Sequence, residues 1–184
     1  MHRRAYGAKD IRANLVIFTA YSDGRFDLGQ RTVRCALGRS GVTPAEAKRE
    51  GDGASPLGVW PIRRVLYRPD RGAPPQTRLP VVAIQENDGW CDAAGDAAYN
   101  RPVALPYPAS CERMWRDDGV YDLVVVLGHN DDPPVSPMGS AIFLHVAREG
   151  YAPTEGCVAL ALDDVRAFLA EAAPGDCVEI RRAD

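Results

Sequence analysis

The segment from Gly139 to Leu162 reads GSAIFLHVAREGYAPTEGCVALAL and holds two short apolar runs separated by a turn-rich loop. The first run ends at His145, and the second follows Cys157, which comes directly after a glycine. Apolar runs of this length between turn residues predict two strands. Gly150 and Pro153 in the intervening loop favour a reversal of the chain. We therefore expect Cys157 to fold back beside His145.

This pattern indicates a nucleophilic thiol with its base. A thiol attacks a carbonyl as the thiolate, so it needs a group that accepts its proton and donors that bind the resulting oxyanion. We expect His145 to be the base. We also expect the backbone amides of Gly156 and Cys157 to converge on the oxyanion, because glycine permits close approach. From the residues alone, the alternative is a buried, inert cysteine and a histidine of the core.

The segment TEGC, from Thr154 to Cys157, resembles the active-site element of the YkuD-like L,D-transpeptidases, in which a histidine precedes Ser/Thr-x-Gly-Cys. The turn SPLG, from Ser55 to Gly58, resembles a second family segment, and the similarity covers most of the chain from Asn14 to Ile180. It implies a single catalytic domain over residues 1 to 184, with a core from about 14 to 180. The implied fold is a β-rich α+β fold, a β-sandwich-like domain with short helices.

The resemblance also implies cysteine acyl transfer on peptidoglycan stem peptides. Cys157 would attack the carbonyl of meso-diaminopimelate in a tetrapeptide stem and release the terminal D-Ala. The acceptor would be an amine of another stem or a lipoprotein lysine, and neither a cofactor nor a metal is expected. Two alternatives stay open: a carboxypeptidase or amidase with the same nucleophile, and a non-catalytic cell-wall-binding module.

Two positions depart from the common family pattern. Members usually carry His before Gly-Cys and Arg two residues after Cys, whereas this chain has Glu155 and Ala159. Thr154 and Glu155 are expected to contact the substrate. Glu155 would orient His145, bind an acceptor amine or face solvent, and carboxylates most often face solvent. Arg148 is expected to anchor a substrate carboxylate, because a guanidinium pairs with it in bidentate geometry.

The stretch from Glu86 to Pro108 shows no clear period and combines aromatic with charged residues. Long loops in compact domains are usually functional or disordered, so we expect this one to wall the cleft over Cys157. For its aromatic residues, the alternative is that they pin the loop to the core. Three of its side chains are expected to contact a peptide stem or sugar: Trp90, Tyr99 and Arg101.

His129 follows a predicted buried strand, Tyr121 to Leu127, and is expected to face the cleft. With Asp131 and Asp132 it forms a pattern that also suits metal ligands. A turn ahead of two prolines is the better interpretation of these residues.

Further along, Glu112 to Asp117 is expected to form a short helix, and Asp163 or Asp164 to cap a helix from Val165 to Ala172. The five cysteines lie at positions 35, 91, 111, 157 and 177. Cys91 and Cys111 would bridge the loop between them in an oxidising compartment, while free buried thiols are an equal alternative.

The composition limits the class of protein. Hydrophobic residues make up 46% and charged residues 26% of the 184, which is ordinary for a globular domain. The net charge of −3 has no basic cluster, so nucleic acid is not an expected partner. No apolar run is long enough for a membrane span, and residues 15 to 20 are too short for a signal-peptide core. The family nevertheless implies a periplasmic or cell-envelope location.

Overall fold

The computed structural model describes residues 15 to 184. The expected strand start at Asn14 and the basic amino-terminal segment lie outside the described residues. The strands, numbered in chain order, are β1 (Ile17–Tyr21), β2 (Arg25–Asp27), β3 (Thr32–Ala36), β4 (Val42–Pro44), β5 (Ser55–Tyr67), β6 (Val81–Ala83), β7 (Asp88–Cys91), β8 (Pro102–Ala104), β9 (Cys111–Arg113), β10 (Leu123–Leu127), β11 (Phe143–Val146), β12 (Val158–Leu160) and β13 (Cys177–Arg181). The α-helix α1 spans Leu162–Glu171, and short 3₁₀ turns span Ala45–Ala47 and Glu149–Tyr151.

The large sheet closes on itself. Its strands follow the order β10, β11, β12, β3, β2, β1, β13 and β5, and β5 also pairs with β10. The long strand β5 makes this closure possible, because its two halves pair with β13 and β10 respectively. The expectation of a β-rich fold is therefore confirmed, but the arrangement is barrel-like rather than clearly a sandwich.

The strand β10 shows why an uninterrupted apolar run is needed at the centre of this fold. All five residues of LVVVL are buried. Leu123, Val125 and Leu127 pack into one apolar cluster, whereas Val124 and Val126 pack into a second. Successive side chains point to opposite faces of a strand, so both faces of β10 must be apolar.

The helix α1 covers part of the larger cluster. Val165, Phe168 and Leu169 are buried, and the Phe168 ring packs edge-on against Phe18 at 4.6 Å between ring centroids. The helix begins at Leu162 after Ala161 and has no side-chain cap. The expected cap by Asp163 or Asp164 is wrong, because both lie in the first turn, where a carboxylate interacts favourably with the helix dipole.

A small second sheet comes from the stretch for which the sequence showed no period. Its order is β8, β7, β9. The helix expected from Glu112 to Asp117 is wrong, since residues 111 to 113 pair with β7 instead. Strands of three or four residues are too short to show a period of two, so pairing rather than local pattern decides this sheet. No helix among residues 15 to 184 has the length and apolarity to cross a membrane.

Candidate active site

Cys157 and His145 lie on one face of two neighbouring strands. In the parallel pair β11 and β12, Leu144 faces Val158 and His145 faces Ala159. Side chains alternate along each strand, so His145 and the residue before β12, Cys157, point to the same side of the sheet. Both residues line one cleft. The expectation that the loop brings the two residues together agrees with this register.

The cleft has a volume of about 430 Å³. Its wall mixes carboxylates with guanidinium groups, and the smaller residues Ser140, Ala141 and Thr154 also line it. Such a wall is suited to a ligand that carries both carboxylates and an amine. The charged residues that line it, besides Glu155 at the rim, are Glu50, Asp92, Glu112, Arg113, Arg116 and Arg148.

The Cys157 thiol is held by two backbone groups. Its Sγ donates a hydrogen bond to the Ala141 carbonyl over 3.2 Å and accepts one from the Phe143 amide over 3.4 Å. Burial, followed by the nearby charge of Glu112, raises the pKa of the Cys157 thiol to about 12. The thiol is therefore protonated at rest, and its reaction with a carbonyl requires transfer of that proton.

His145 has an uncharged ring that can accept a proton. Its Nδ1 lies 2.9 Å from the Val146 carbonyl, which can only accept a hydrogen bond. Nδ1 therefore carries the proton in the neutral ring, and Nε2, which has no hydrogen-bond partner among residues 15 to 184, can accept one. Burial lowers the pKa of His145 to about 4, although the hydrogen bond to Val146 opposes this shift. At neutral pH the ring is uncharged.

Hydrogen bonds of Thr154 stabilise the turn before Cys157. Thr154 Oγ1 donates to the Cys157 carbonyl over 2.7 Å and accepts from the Gly156 amide over 3.1 Å, while the Thr154 amide donates to the Leu37 carbonyl over 2.9 Å. The Thr154 side chain therefore fixes the position of the thiol by shaping the backbone, and Thr154 also lines the cleft.

Glycine is required at position 156. The residue has φ of 137°, and a Cβ there would lie 2.8 Å from the Ala54 carbonyl oxygen. The Gly156 amide already donates to Thr154, whereas the Cys157 amide donates to no group among residues 15 to 184. Of these two amides, that of Gly156 is engaged in this conformation, so the expected convergence of both on an oxyanion would require the bond to Thr154 to break.

Sequence reasoning missed Glu112 and Tyr121. The Tyr121 ring lies edge-on to the His145 ring at 5.4 Å, and its hydroxyl donates to Glu112 Oε1 over 2.5 Å. Burial raises the pKa of Glu112. The sequence gives one indication of this pair, the position of Tyr121 at the start of a buried run. The predicted helix from 112 to 117 gives the wrong direction for the Glu112 side chain.

Arg148 and Glu155 lie at the cleft, as predicted, and each has an ionic partner. Arg148 is 3.5 Å from Asp118 and half-exposed, so its guanidinium retains free donors. Glu155 pairs with Arg39, and its side chain is 74% exposed. Of the alternatives for Glu155, the solvent-facing one describes its position best.

Four other predicted contact residues lie elsewhere in the fold. Trp90 is buried edge-on against Phe143 at 5.0 Å, and its indole N–H donates to Asn100. Arg101 lines a separate cavity together with Trp90. Substrate contact by these two residues stays a prediction, and the geometry of Trp90 favours the alternative in which it pins the loop.

Tyr99 and His129 are also part of the scaffold. The Tyr99 hydroxyl donates to Glu50 over 2.6 Å, so Tyr99 reaches the cleft only through that carboxylate. His129 packs edge-on against Trp60 at 4.7 Å, and its Nε2 lies 3.1 Å from the Met138 carbonyl. Neither residue lines the cleft of Cys157.

Of the two acidic residues after His129, Asp131 is engaged in the scaffold and Asp132 is exposed. Asp131 forms a bidentate ion pair with Arg63 at 2.7 and 3.0 Å. Within the part of the chain that the structure describes, no group of three or more His, Cys, Asp or Glu side chains is placed to hold a metal ion.

The cleft is lined by a thiol and a neutral imidazole, and the amide at the thiol has no partner in the part of the chain that the structure describes. These are groups that acyl transfer through cysteine requires. The chain belongs to the YkuD family, since the model of the L,D-transpeptidase catalytic domain matches residues 10 to 180. A comparison with curated proteins gave no match. Membership supports an enzyme of peptidoglycan metabolism, and the family implies a location in the cell envelope.

Proposed function

We propose that the protein is a cysteine-dependent L,D-transpeptidase that acts on peptidoglycan stem peptides through a thioester on Cys157. The observation that carries this proposal is the shared face of β11 and β12. It aims Cys157 and His145 into one cleft, with Nε2 of His145 as the free acceptor.

Acylation begins with the neutral pair. As the donor carbonyl approaches Cys157, the thiol proton moves to His145 Nε2 and Sγ attacks the carbonyl carbon. The Cys157 amide, which has no partner among the described residues, donates to the oxyanion. His145 then gives its proton to the leaving amine, which by family resemblance is that of the terminal D-Ala. The cycle leaves a thioester and a neutral imidazole.

The second half of the reaction needs an acceptor amine, which is an ammonium ion in water. Glu112 lines the cleft with Cys157, and burial raises the pKa of Glu112 so that it is a stronger base than an exposed carboxylate. We assign to Glu112 the binding and deprotonation of the acceptor ammonium. The acceptor is an amine of a second stem or a lipoprotein lysine.

The guanidinium groups of the cleft are suited to the carboxylates of the stem. Arg116 forms an ion pair with Asp118 at 2.6 Å, whereas Arg148 lies 3.5 Å from the same carboxylate. Arg113 is exposed on β9 at the cleft wall. Arg148 and Arg113 are therefore the residues that we expect to bind a donor carboxylate, in place of the arginine that relatives carry at the position of Ala159.

The test is the intact mass of the purified protein after incubation with a disaccharide tetrapeptide. We expect an acyl adduct on the wild type and none on Cys157→Ala, and addition of an amine acceptor should replace the adduct with a cross-linked product. Shortened stems without cross-links would favour the hydrolase. Neither adduct nor product from folded protein would favour the non-catalytic wall-binding module.

A further inference from the structure

The small sheet that forms one wall of the cleft contains two cysteines directly opposite each other. In the antiparallel pair β7 and β9, Cys91 faces Cys111. Residues that face each other in such a pair point to the same side of the sheet. Both are free thiols in the structure, with Cys91 fully buried and Cys111 half-buried.

The hydrogen bonds show which kind of facing pair this is. The Cys91 amide donates to the Arg101 carbonyl over 2.9 Å, and the Cys91 carbonyl accepts from the Asn100 amide over 2.9 Å. Both backbone groups of Cys91 are thus directed to the β8 side. Towards β9, Cys91 is in a non-hydrogen-bonded position.

The neighbouring residues confirm this alternation. The Asp92 amide donates to the Ser110 carbonyl over 3.3 Å, and the Met114 amide donates to the Asp88 carbonyl over 3.0 Å, so Asp88 in β7 and Asp92 directly after it bond to the β9 side. Non-hydrogen-bonded pairs bring the Cα atoms to about 4.5 Å, which falls within the span of a disulfide. The sheet therefore places the two cysteines where they can be joined without moving a strand.

The remaining cysteines lack such an arrangement in the described part of the chain. Cys177 faces Pro61 and Ile17, Cys35 faces Leu160, and the Cys157 thiol is bonded to Ala141 in the cleft. Among the five cysteines, the strand register therefore places only Cys91 and Cys111 opposite each other.

We propose that Cys91 and Cys111 form a cross-strand disulfide that ties β9 to β7 behind the cleft. The strand β9 has only three residues and lies at the edge of its sheet. Glu112 and Asp92, which line the cleft, are the immediate neighbours of the two cysteines. The bond therefore fixes the wall that carries Glu112, and an oxidising compartment such as the periplasm preserves it.

The bond forms by thiol–disulfide exchange with a low-molecular-weight disulfide. The more accessible Cys111 attacks one sulfur of the reagent as a thiolate, and one reagent thiolate leaves. The Cys91 thiolate then attacks the Cys111 sulfur and releases the second reagent thiolate. Two protein thiols are oxidised to one disulfide, the reagent is reduced to two thiols, and these take up the two protons.

The test uses the full chain with Cys157→Ala, so that the cleft thiol does not react and no activity is needed. The folded protein is incubated with oxidised glutathione and then examined by intact mass and peptide mapping without reduction. We expect a loss of two hydrogens, a peptide cross-linked through Cys91 and Cys111, and a higher thermal midpoint than that of the reduced protein. Adding Cys91→Ser should abolish all three changes, whereas the control Cys177→Ser should retain them.

A stable glutathione adduct on Cys111 with Cys91 still a thiol would overturn the proposal. So would two unreacted thiols in folded protein under conditions that oxidise the same residues after unfolding. Because the pairing involves no catalytic step, these outcomes are independent of whether Cys157 transfers an acyl group.

Discussion

The carbonyl of Ala141 accepts the hydrogen bond of the Cys157 thiol over 3.2 Å, and Ala141 itself has a left-handed backbone with φ of 52°. Non-glycine residues seldom adopt this conformation, which costs on the order of 1 to 2 kcal/mol. The bond to Ala141 and burial both hold the thiol in its neutral form. Substrate must therefore displace this bond before His145 receives the proton.

The first prediction concerns the resting thiol. Because burial raises the pKa of Cys157 to about 12, its alkylation by iodoacetamide at neutral pH should be slower than that of the same cysteine in unfolded protein. Peptide mapping separates Cys157 from the other thiols. Equal or faster reaction in the folded protein would contradict a neutral resting thiol.

The acid limb of activity should lie near pH 4. His145 must be unprotonated to accept the thiol proton, and burial lowers the pKa of His145 to about 4. kcat/KM should therefore stay level as the pH falls through 6 and decline only near 4. A decline centred near 6.5, the value of an exposed histidine, would show that His145 is not the base or is more solvated than in the structure.

The lowered pKa of His145 also predicts that acid destabilises the folded protein. The folded-state pKa of His145 lies below the unfolded value of 6.5, so the unfolded chain binds the proton first as the pH falls. The contribution of His145 to the free energy of unfolding is fully present above pH 6.5. It decreases as the pH falls towards 4, by about 3 kcal/mol at most. His129 adds to this loss with the same sign, because burial also lowers the pKa of His129.

Urea unfolding measures this effect at pH 7 and pH 4.5. His145→Gln should show a smaller difference in unfolding free energy between the two pH values than the wild type does. An unchanged difference in His145→Gln would assign the acid sensitivity to other groups.

Gly156→Ala should displace the thiol. The added methyl would lie 2.8 Å from the Ala54 carbonyl oxygen, and φ of 137° is rare for alanine. The backbone must shift, and a displacement of about 1 Å at a nucleophile lowers the rate on the order of 100-fold. Gly95→Ala is the matched control, since Gly95 also has positive φ but no atom within 4 Å of an added Cβ. Equal kcat values in the two variants would contradict the prediction.

Glu112→Gln should separate the two halves of the reaction. The variant keeps the shape of the side chain but loses the base, so acyl adduct formation should be retained while transfer to an amine slows by about 100-fold. Intact mass measures the adduct, and its decay on addition of the amine gives the transfer rate. Glu46→Gln is the control, because Glu46 is exposed and does not line the cleft. Decay as fast as in the wild type would remove Glu112 from this role.

Much of the fold follows from local sequence pattern. The buried strand of LVVVL and the apolar run after Cys157 are where the sequence predicts them, because uninterrupted apolar runs need burial on both faces. The strand predicted to end at His145 is shifted, since β11 spans Phe143–Val146. The small sheet was not predictable in this way. Its strands have three or four residues, and their pairing with one another is a long-range choice.

In the candidate site, too, some features follow from the sequence and others need the tertiary structure. The sequence by itself led to the proposed nucleophile and base, Cys157 and His145, and to the requirement for glycine at position 156, because these depend on residue type and on strand and turn chemistry. Only the tertiary structure decided that the Gly156 amide is engaged by Thr154, that Glu112 lines the cleft, and that Cys91 faces Cys111. These depend on the register between strands that are distant in the chain, and register is set by packing rather than by local pattern.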